Sequence, residues 1–129
     1  MLTKINYKIH TDSIKENIIL PQKLSNQAAN LTYATEADIL NKALFNLTAK
    51  EWVDSHQGIK GNIRDYANIW QLVVLANLES INAQYIKDGC LPKDRLLKLN
   101  DSAIFQMKSL LGNANVKKLM GYYNKKSVK

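Results

Sequence analysis

The stretch "GIKGNIRD", residues 58–65, contains the residue types that most often contact phosphate groups. Gly58 and Gly61 lie three apart on either side of Lys60, and Arg64 follows four residues after that lysine. A GxxG loop with a basic residue is one way in which a protein holds a nucleic-acid backbone. The same spacing also suits an ordinary turn, in which Gly58 ends one helix and a capping side chain begins the next.

The rest of the chain favours the turn. A KH domain, which uses a GxxG loop, also needs a three-stranded sheet, and no run of four to eight residues here alternates apolar and polar side chains as a strand does. We therefore interpret residues 58–65 mainly as a turn, with Asn62 or Asp65 capping the next helix. Lys60 and Arg64 remain candidate contacts to nucleic acid.

Metal ligands and nucleophiles are sparse. His10, His56 and the single cysteine, Cys90, are too far apart in sequence to form a chelating motif. Cys90 lies in a Gly-Cys-Leu-Pro turn without a basic neighbour, which favours an inert thiol over a nucleophile. We expect no enzyme activity, no metal, no cofactor and no small-molecule substrate.

Glu79 is the most unusual acidic residue, because it follows the most apolar turns of the chain. A buried carboxylate needs a partner or a raised pKa. No second carboxylate shares a face with it at a spacing typical of a catalytic pair. We interpret Glu79 as half of a structural ion pair.

The positive charge is concentrated at the end of the chain. Residues 1–110 contain thirteen Lys and Arg against eleven Asp and Glu, whereas residues 111–129 contain five lysines and no acid. A basic tail attracts nucleic acid by releasing counterions, and it also keeps a protein soluble. The lysines of this tail are Lys117, Lys118, Lys125, Lys126 and Lys129.

Neither a leader nor a membrane span is evident. The first ten residues lack the apolar run of a signal peptide, and the longest apolar run, residues 69–78, is too short to cross a bilayer. A single cysteine fits a reducing compartment. The predicted location is cytoplasmic, without a membrane partner.

The predicted fold class is all-α, because helix formers dominate and no strand pattern occurs. We expect a compact bundle of five or six helices around a central long helix at about 66–87. Residues 1–112 form one domain, and residues 113–129 form a basic, partly disordered tail. The other predicted helices are Thr3–Ile19 (as one helix or two), Thr35–Asn46 with Thr35 as its cap, a short one from a Thr48–Glu51 capping box to Gly58, and Pro92–Leu111, with a loop over 21–32.

The central helix should be surrounded by the others. Seven of the eight residues from 69 to 76 are apolar, and a helix that is apolar on nearly every side belongs inside a bundle. Trp52 and Val53 should face inward from the short helix. The residues expected to be buried are Ile69, Trp70, Leu72, Val73, Leu75 and Ala76, packed against Leu40, Leu44, Trp52, Leu96, Leu99, Ala103 and Met107.

Several long segments together carry a family resemblance. The ordered blocks "KINYKIHTDSIKENII", "YATEADILNKALFNLTAKEW", "KGNIRDYANIWQLVVLANLESINAQYI" and "LPKDRLLKLNDSAIFQMKSLL" resemble the region that follows the KilA-N DNA-binding domain in bacterial and phage proteins. The resemblance covers about residues 3–111. It implies a helical domain from a phage or other mobile element.

In that family the preceding KilA-N domain contacts DNA, and its binding motif has no positions in this chain. The resemblance therefore implies an accessory protein-interaction or oligomerisation domain of a KilA-N DNA-binding regulator, with a protein partner or a second copy as its ligand. The alternative is direct, weakly specific nucleic-acid binding through the tail and the 60–64 loop. The residues of that alternative are Lys60, Arg64, Lys117, Lys118, Lys125 and Lys126.

Overall fold

The computed structural model describes residues 2–112, with side chains from Lys4 onward. All regular elements of this part are helical, which confirms the all-α prediction. Five α-helices follow one another, with a π-helical turn at Lys15–Ile19 that continues α1 and a 3₁₀ turn at Ile63–Tyr66. Their bounds are α1 Leu2–Ile14, α2 Asn26–Phe45, α3 Ala49–Ser55, α4 Ile69–Lys87 and α5 Pro92–Leu111.

Helix α4 is the centre of the bundle and packs against α1, α2 and α5. Helix α1 runs parallel to it, because the side chain of His10 meets Asn82 and the hydroxyl of Ser13 donates to the carbonyl of Ala83 at 2.6 Å. Both contacts join residues about 70 positions apart, so the two helices advance in the same direction.

Helix α5 runs antiparallel to α4. Arg95 donates to the side chain of Asn82 at 3.0 Å, and Asn77 donates to Gln106 at 2.8 Å. Later residues of α5 thus meet earlier residues of α4. This register fixes which end of α5 lies beside which turn of α4.

The main core lies between α2, α3, α4 and α5. Most of the expected core residues are buried, and Leu72 and Leu96 are partly buried. A smaller apolar cluster of Ile14, Ile19 and Ile86 joins the end of α1 to the end of α4. The buried members of the main core are Leu40, Ala43, Leu44, Phe45, Trp52, Ile63, Val74, Leu75, Leu78, Leu99, Ala103 and Met107.

Three residues that were expected in the core are exposed, and that part of the prediction is wrong. Ile69, Trp70 and Val73 have exposed fractions of 65%, 41% and 40%. The neighbouring helices cover only part of the circumference of α4, and Val74 occupies the inward position instead. We call Ile69, Trp70 and Val73 the α4 face. Val53 of α3 is likewise exposed rather than inward.

The start of α2 also differs from the sequence-based expectation of a loop over 21–32 and a cap at Thr35. Ser25 is the N-cap, and its hydroxyl accepts a backbone N–H of the first turn. Thr35 lies inside the helix. The early turns hold few large apolar side chains, but Ala29 and Tyr33 pack on the smaller cluster, so tertiary packing outweighs the polar composition.

The short elements before α4 begin with reciprocal caps. The predicted box of Thr48 and Glu51 at the start of α3 is confirmed. Helix α4 begins at Ile69 rather than near 66, because Asn68 and Gln71 form a further capping box there. Each box satisfies backbone N–H groups that a helix start leaves free.

Adjacent valines of α4 provide a direct test of this packing. Val74 is fully buried, so Val74→Asp places a carboxylate in the core and should lower the free energy of unfolding by more than about 3 kcal/mol. Val73→Asp should change it by less than about 1 kcal/mol, because position 73 faces solvent. Urea unfolding followed by circular dichroism measures both. Equal decreases in the free energy of unfolding of the two variants would contradict the observed orientation of α4, in which Val74 faces the core and Val73 faces solvent.

Candidate functional site

Four buried polar side chains meet where the helices of the bundle converge. His10 comes from α1, Glu36 from α2, Asn82 from α4 and Arg95 from α5. We call them the polar cluster. Polar groups are buried in proteins only when their hydrogen bonds are satisfied, so the contacts inside this cluster determine whether it can exist.

The guanidinium of Arg95 is the hub of the polar cluster. Its two terminal nitrogens donate to the two carboxylate oxygens of Glu36, with 2.9 Å between Nη2 and Oε2. The Nη1 atom also donates to Asn82, and Nε donates to the carbonyl of Cys90 at 3.0 Å. A bidentate pair fixes both the distance and the plane of the two groups. Arg95 therefore holds α2, α4 and the turn before α5 in one arrangement.

Asn82 extends the network to α1. Its amide donates to Glu36 at 3.2 Å and to Nε2 of His10 at 2.9 Å. Because Nε2 accepts a hydrogen bond, the neutral ring carries its proton on Nδ1. Burial lowers the pKa of His10 from 6.5 to about 4, against an opposing effect of the Glu36 carboxylate. The imidazole is thus neutral near pH 7.

Two residues of the polar cluster form part of the wall of a cavity of about 420 Å³ between α2 and the turn that joins α4 to α5. Glu36 and Arg95 line it together with Cys90 and the exposed side chains of Leu31 and Leu91. Since the carboxylate and the guanidinium bind each other, the cavity mainly presents apolar groups. Within residues 2–112, no three His, Cys, Asp or Glu side chains come together as a metal site.

Glu79 forms the ion pair that the sequence suggested. Its side chain is buried one turn before Asn82, and the guanidinium of Arg64 lies 3.8 Å from its carboxylate. Burial raises the pKa of Glu79, and Arg64 opposes that change. Arg64 therefore neutralises a buried acid of α4 rather than serving only as an exposed cation of the loop.

The glycine-rich stretch is built as a turn. The side chains of Asn62 and Asp65 form a capping box on the 3₁₀ turn. Gly61 has a φ of 102°, and a Cβ there would lie 2.7 Å from the Asp65 carboxylate, so this position requires glycine. Lys60 is exposed, and its carbonyl accepts the hydroxyl of Tyr66. The loop thus points Lys60 into solvent while Arg64 pairs with α4.

The tail lysines lie outside the described residues. Of the candidate contacts to nucleic acid, the structure therefore describes Lys60 and Arg64 alone.

The structure also shows the polar cluster, which sequence reasoning missed. A signal for it was present: Glu36 lies four residues before Leu40, and Arg95 four before Leu99, so both charges continue an apolar stripe. Charged residues on the inward side of two helices indicate a buried ion pair.

The α4 face is the second candidate site. Trp70 and Val73 project into solvent from the side of α4 that the other described helices leave open. One turn beyond Gln106, whose side chain bonds to Asn77 of α4, Leu110 of α5 continues the inward stripe of its helix yet is 40% exposed. Apolar side chains grouped at one end of a bundle are typical of a contact surface for another chain segment.

Comparisons of the chain with protein-family models, curated proteins and solved structures find no match. Among the described helices, none is both long and apolar enough to span a membrane.

The ion pair of the polar cluster can be tested by a double-mutant cycle. Arg95→Met leaves Glu36 buried without its cation, and Glu36→Leu leaves Arg95 without its anion, so each should lower the free energy of unfolding by about 3–5 kcal/mol. The double variant removes both charges and should be clearly more stable than the sum of the two losses predicts. Additive losses in chemical denaturation would contradict the coupling.

His10 predicts a specific pH dependence. Its pKa is about 4 in the folded protein and near 6.5 when unfolded, so lowering the pH through this interval protonates the unfolded chain first and destabilises the fold. Between pH 7 and 4.5 the loss should be roughly 2–3 kcal/mol. In His10→Gln the amide oxygen still accepts from Asn82 but does not titrate. When urea unfolding is measured at both pH values, the free energy of unfolding of the parent should fall by roughly 2–3 kcal/mol more than that of the variant. Equal falls in the two proteins would exclude His10 as the cause.

Proposed function

We propose that this chain is a protein-interaction or oligomerisation domain that binds through the α4 face. The observation that carries the proposal is the exposure of Trp70 beside Val73 on the otherwise best-buried helix of the bundle. Tryptophan is the residue type most enriched among those that dominate binding energy at interfaces. A second copy of this chain is the simplest occupant.

The rest of the bundle supports such a role. The polar cluster joins α1, α2, α4 and α5 through directional bonds, so the backbone that presents the α4 face is held rigidly. A preorganised surface loses less entropy when it binds. By contrast, the polar cluster contains no free nucleophile, and its charges are mutually satisfied.

The resemblance supports a biological setting for this binding. We propose that the chain acts as the accessory domain of a phage- or mobile-element-type KilA-N DNA-binding regulator, in which association of copies would bring DNA-binding domains together. Direct nucleic-acid binding is the alternative outcome. It would use the basic tail together with the 60–64 loop, where Lys60 is exposed and Arg64 lies 3.8 Å from the Glu79 carboxylate.

Self-association of the full chain tests the proposal. Sedimentation velocity at increasing concentration should show a dimer, and Trp70→Ser should weaken it about 30-fold, as expected when a dominant interface residue worth about 2 kcal/mol is removed. Leu97→Ser is the matched control, because Leu97 is also an exposed apolar residue but lies on α5. A parent that stays monomeric, or a dimer equally weakened by both changes, would contradict the α4 face as the contact.

The nucleic-acid alternative predicts a different response to salt and to substitutions. Affinity for duplex DNA should then fall steeply with salt and drop in Lys60→Glu, while Trp70→Ser has no effect. Under our proposal, Lys60→Glu leaves self-association unchanged. The two readouts together separate the two functions.

A further inference from the structure

The cavity between α2 and the turn that joins α4 to α5 has a buried floor and an open rim. Its volume of about 420 Å³ lies within the range of small-molecule sites in proteins. Glu36, Ile86 and Arg95 line it and are themselves buried, so they form the floor. Leu31 and Leu91 line it and are exposed, so they form the rim. A ligand that reaches the floor therefore leaves water for the interior of the bundle.

Arg95 has one N–H group to which the structure gives no acceptor within residues 2–112. A guanidinium carries five N–H groups. Nη1 donates to Glu36 and Asn82, Nε donates to the carbonyl of Cys90, and Nη2 donates once, to Glu36. In the planar group, the second N–H of Nη2 points to the same side as Nε–H. It is therefore directed toward Cys90, which lines the cavity.

The carboxylate of Glu36 has an unused acceptor position beside that donor. Its Oε1 atom accepts from Nη1 of Arg95 and from Asn82. Its Oε2 atom accepts from Nη2 at 2.9 Å and from no other group in the described part of the chain, although a carboxylate oxygen can accept two hydrogen bonds. The floor thus presents a donor and an acceptor side by side, while the two charges cancel.

The other lining residues restrict what the cavity can bind. The hydroxyl groups of Thr32 and Thr35 donate to carbonyls of α2 at 2.8 and 2.9 Å, so their protons are already used. A charged ligand would lose its hydration beside a pair whose charges are already balanced, whereas a neutral polar group loses much less. The site therefore favours an uncharged polar group on an apolar body. The apolar side chains of the lining are Ile18, Leu31, Ile86, Leu91 and Pro92.

We propose that this cavity binds a small neutral carboxamide with an apolar body such as an aromatic ring. The carboxamide oxygen accepts from Nη2 of Arg95 and its N–H donates to Oε2 of Glu36, so both unused positions of the floor are satisfied. Ile86 of the floor lies about 20 Å beyond Val73 along α4. The cavity is therefore separate from the α4 face, and the inference does not depend on self-association.

NMR titration of the isotope-labelled full chain with benzamide tests this chemistry. The backbone amide of Cys90 and the Nε–H of Arg95 should shift saturably, with the low-millimolar dissociation constant expected for a fragment of this size. Acetophenone has the same shape but a methyl group in place of the amide nitrogen, so it should bind at least about tenfold more weakly. Equal affinities for the two compounds, or no saturable shift up to about 20 mM benzamide, would overturn the inference.

Substitutions at the rim test the location. Leu31 and Leu91 are 68% and 67% exposed, so Leu31→Ser with Leu91→Ser should keep the fold and weaken benzamide binding about tenfold through lost apolar contact. The matched control is Leu97→Ser with Phe105→Ser, two exposed residues of α5 that do not line the cavity and should leave the affinity as in the parent. Circular dichroism verifies the fold. Parent-like binding in the rim variant, or equal weakening in both variants, would place benzamide elsewhere and reject the site.

The single cysteine of the chain reports on occupancy of the cavity. Cys90 lines the cavity and is partly exposed, so N-ethylmaleimide should modify it in the free protein. At ten times its dissociation constant, benzamide should slow this modification about tenfold, because only the unoccupied fraction reacts. Acetophenone at the same concentration should slow it by no more than about twofold. A rate that benzamide leaves unchanged contradicts binding at this cavity.

Discussion

The buried pair of Arg95 and Glu36 is the interaction on which the arrangement of the bundle depends. Apolar contacts between helices are non-directional, so a stripe such as that of α5 can pack in several registers at similar cost. A bidentate guanidinium–carboxylate pair has one geometry. Because Asn82 bonds to both partners and to His10, a shift of any of the four helices would leave a buried polar group unsatisfied.

This pair is better understood as a source of specificity than of net stability. Removing a carboxylate and a guanidinium from water costs several kcal/mol each, and their attraction recovers that cost only with good geometry and further hydrogen bonds. Both conditions are met here, because Arg95 also donates to the Cys90 carbonyl and to Asn82. The low pKa of His10 is part of the same cost, since burial disfavours a charged imidazole and repulsion by Arg95 adds to that effect.

The sequence predicted the helical class, the central position of α4 and most of the core, because these depend on periodicity along single helices. The sequence-based prediction failed where helix formation or burial depends on contacts with other helices. Ala29 and Tyr33 gain helical structure from the apolar cluster at the ends of α1 and α4, which composition alone does not reveal. Likewise, the apolar residues of α4 were assigned to the core together, although three neighbouring helices cannot cover a whole circumference. The polar cluster was missed because most of its contacts join residues 46 to 72 positions apart, and the nearest pair, Asn82 and Arg95, lies on two different helices.

The fixed geometry of the cluster has a consequence for the exposed side of α4. A loosely packed bundle could rotate α4 by one residue and exchange Val73 for Val74, which would bury part of the apolar surface that is now in water. Asn82 prevents this exchange, because the same rotation would withdraw its side chain from Glu36, Arg95 and His10. The bundle therefore keeps Trp70 and Val73 outside by satisfying a polar network inside. An apolar surface maintained in this way is a property of the fold, and it persists until another segment of chain covers it.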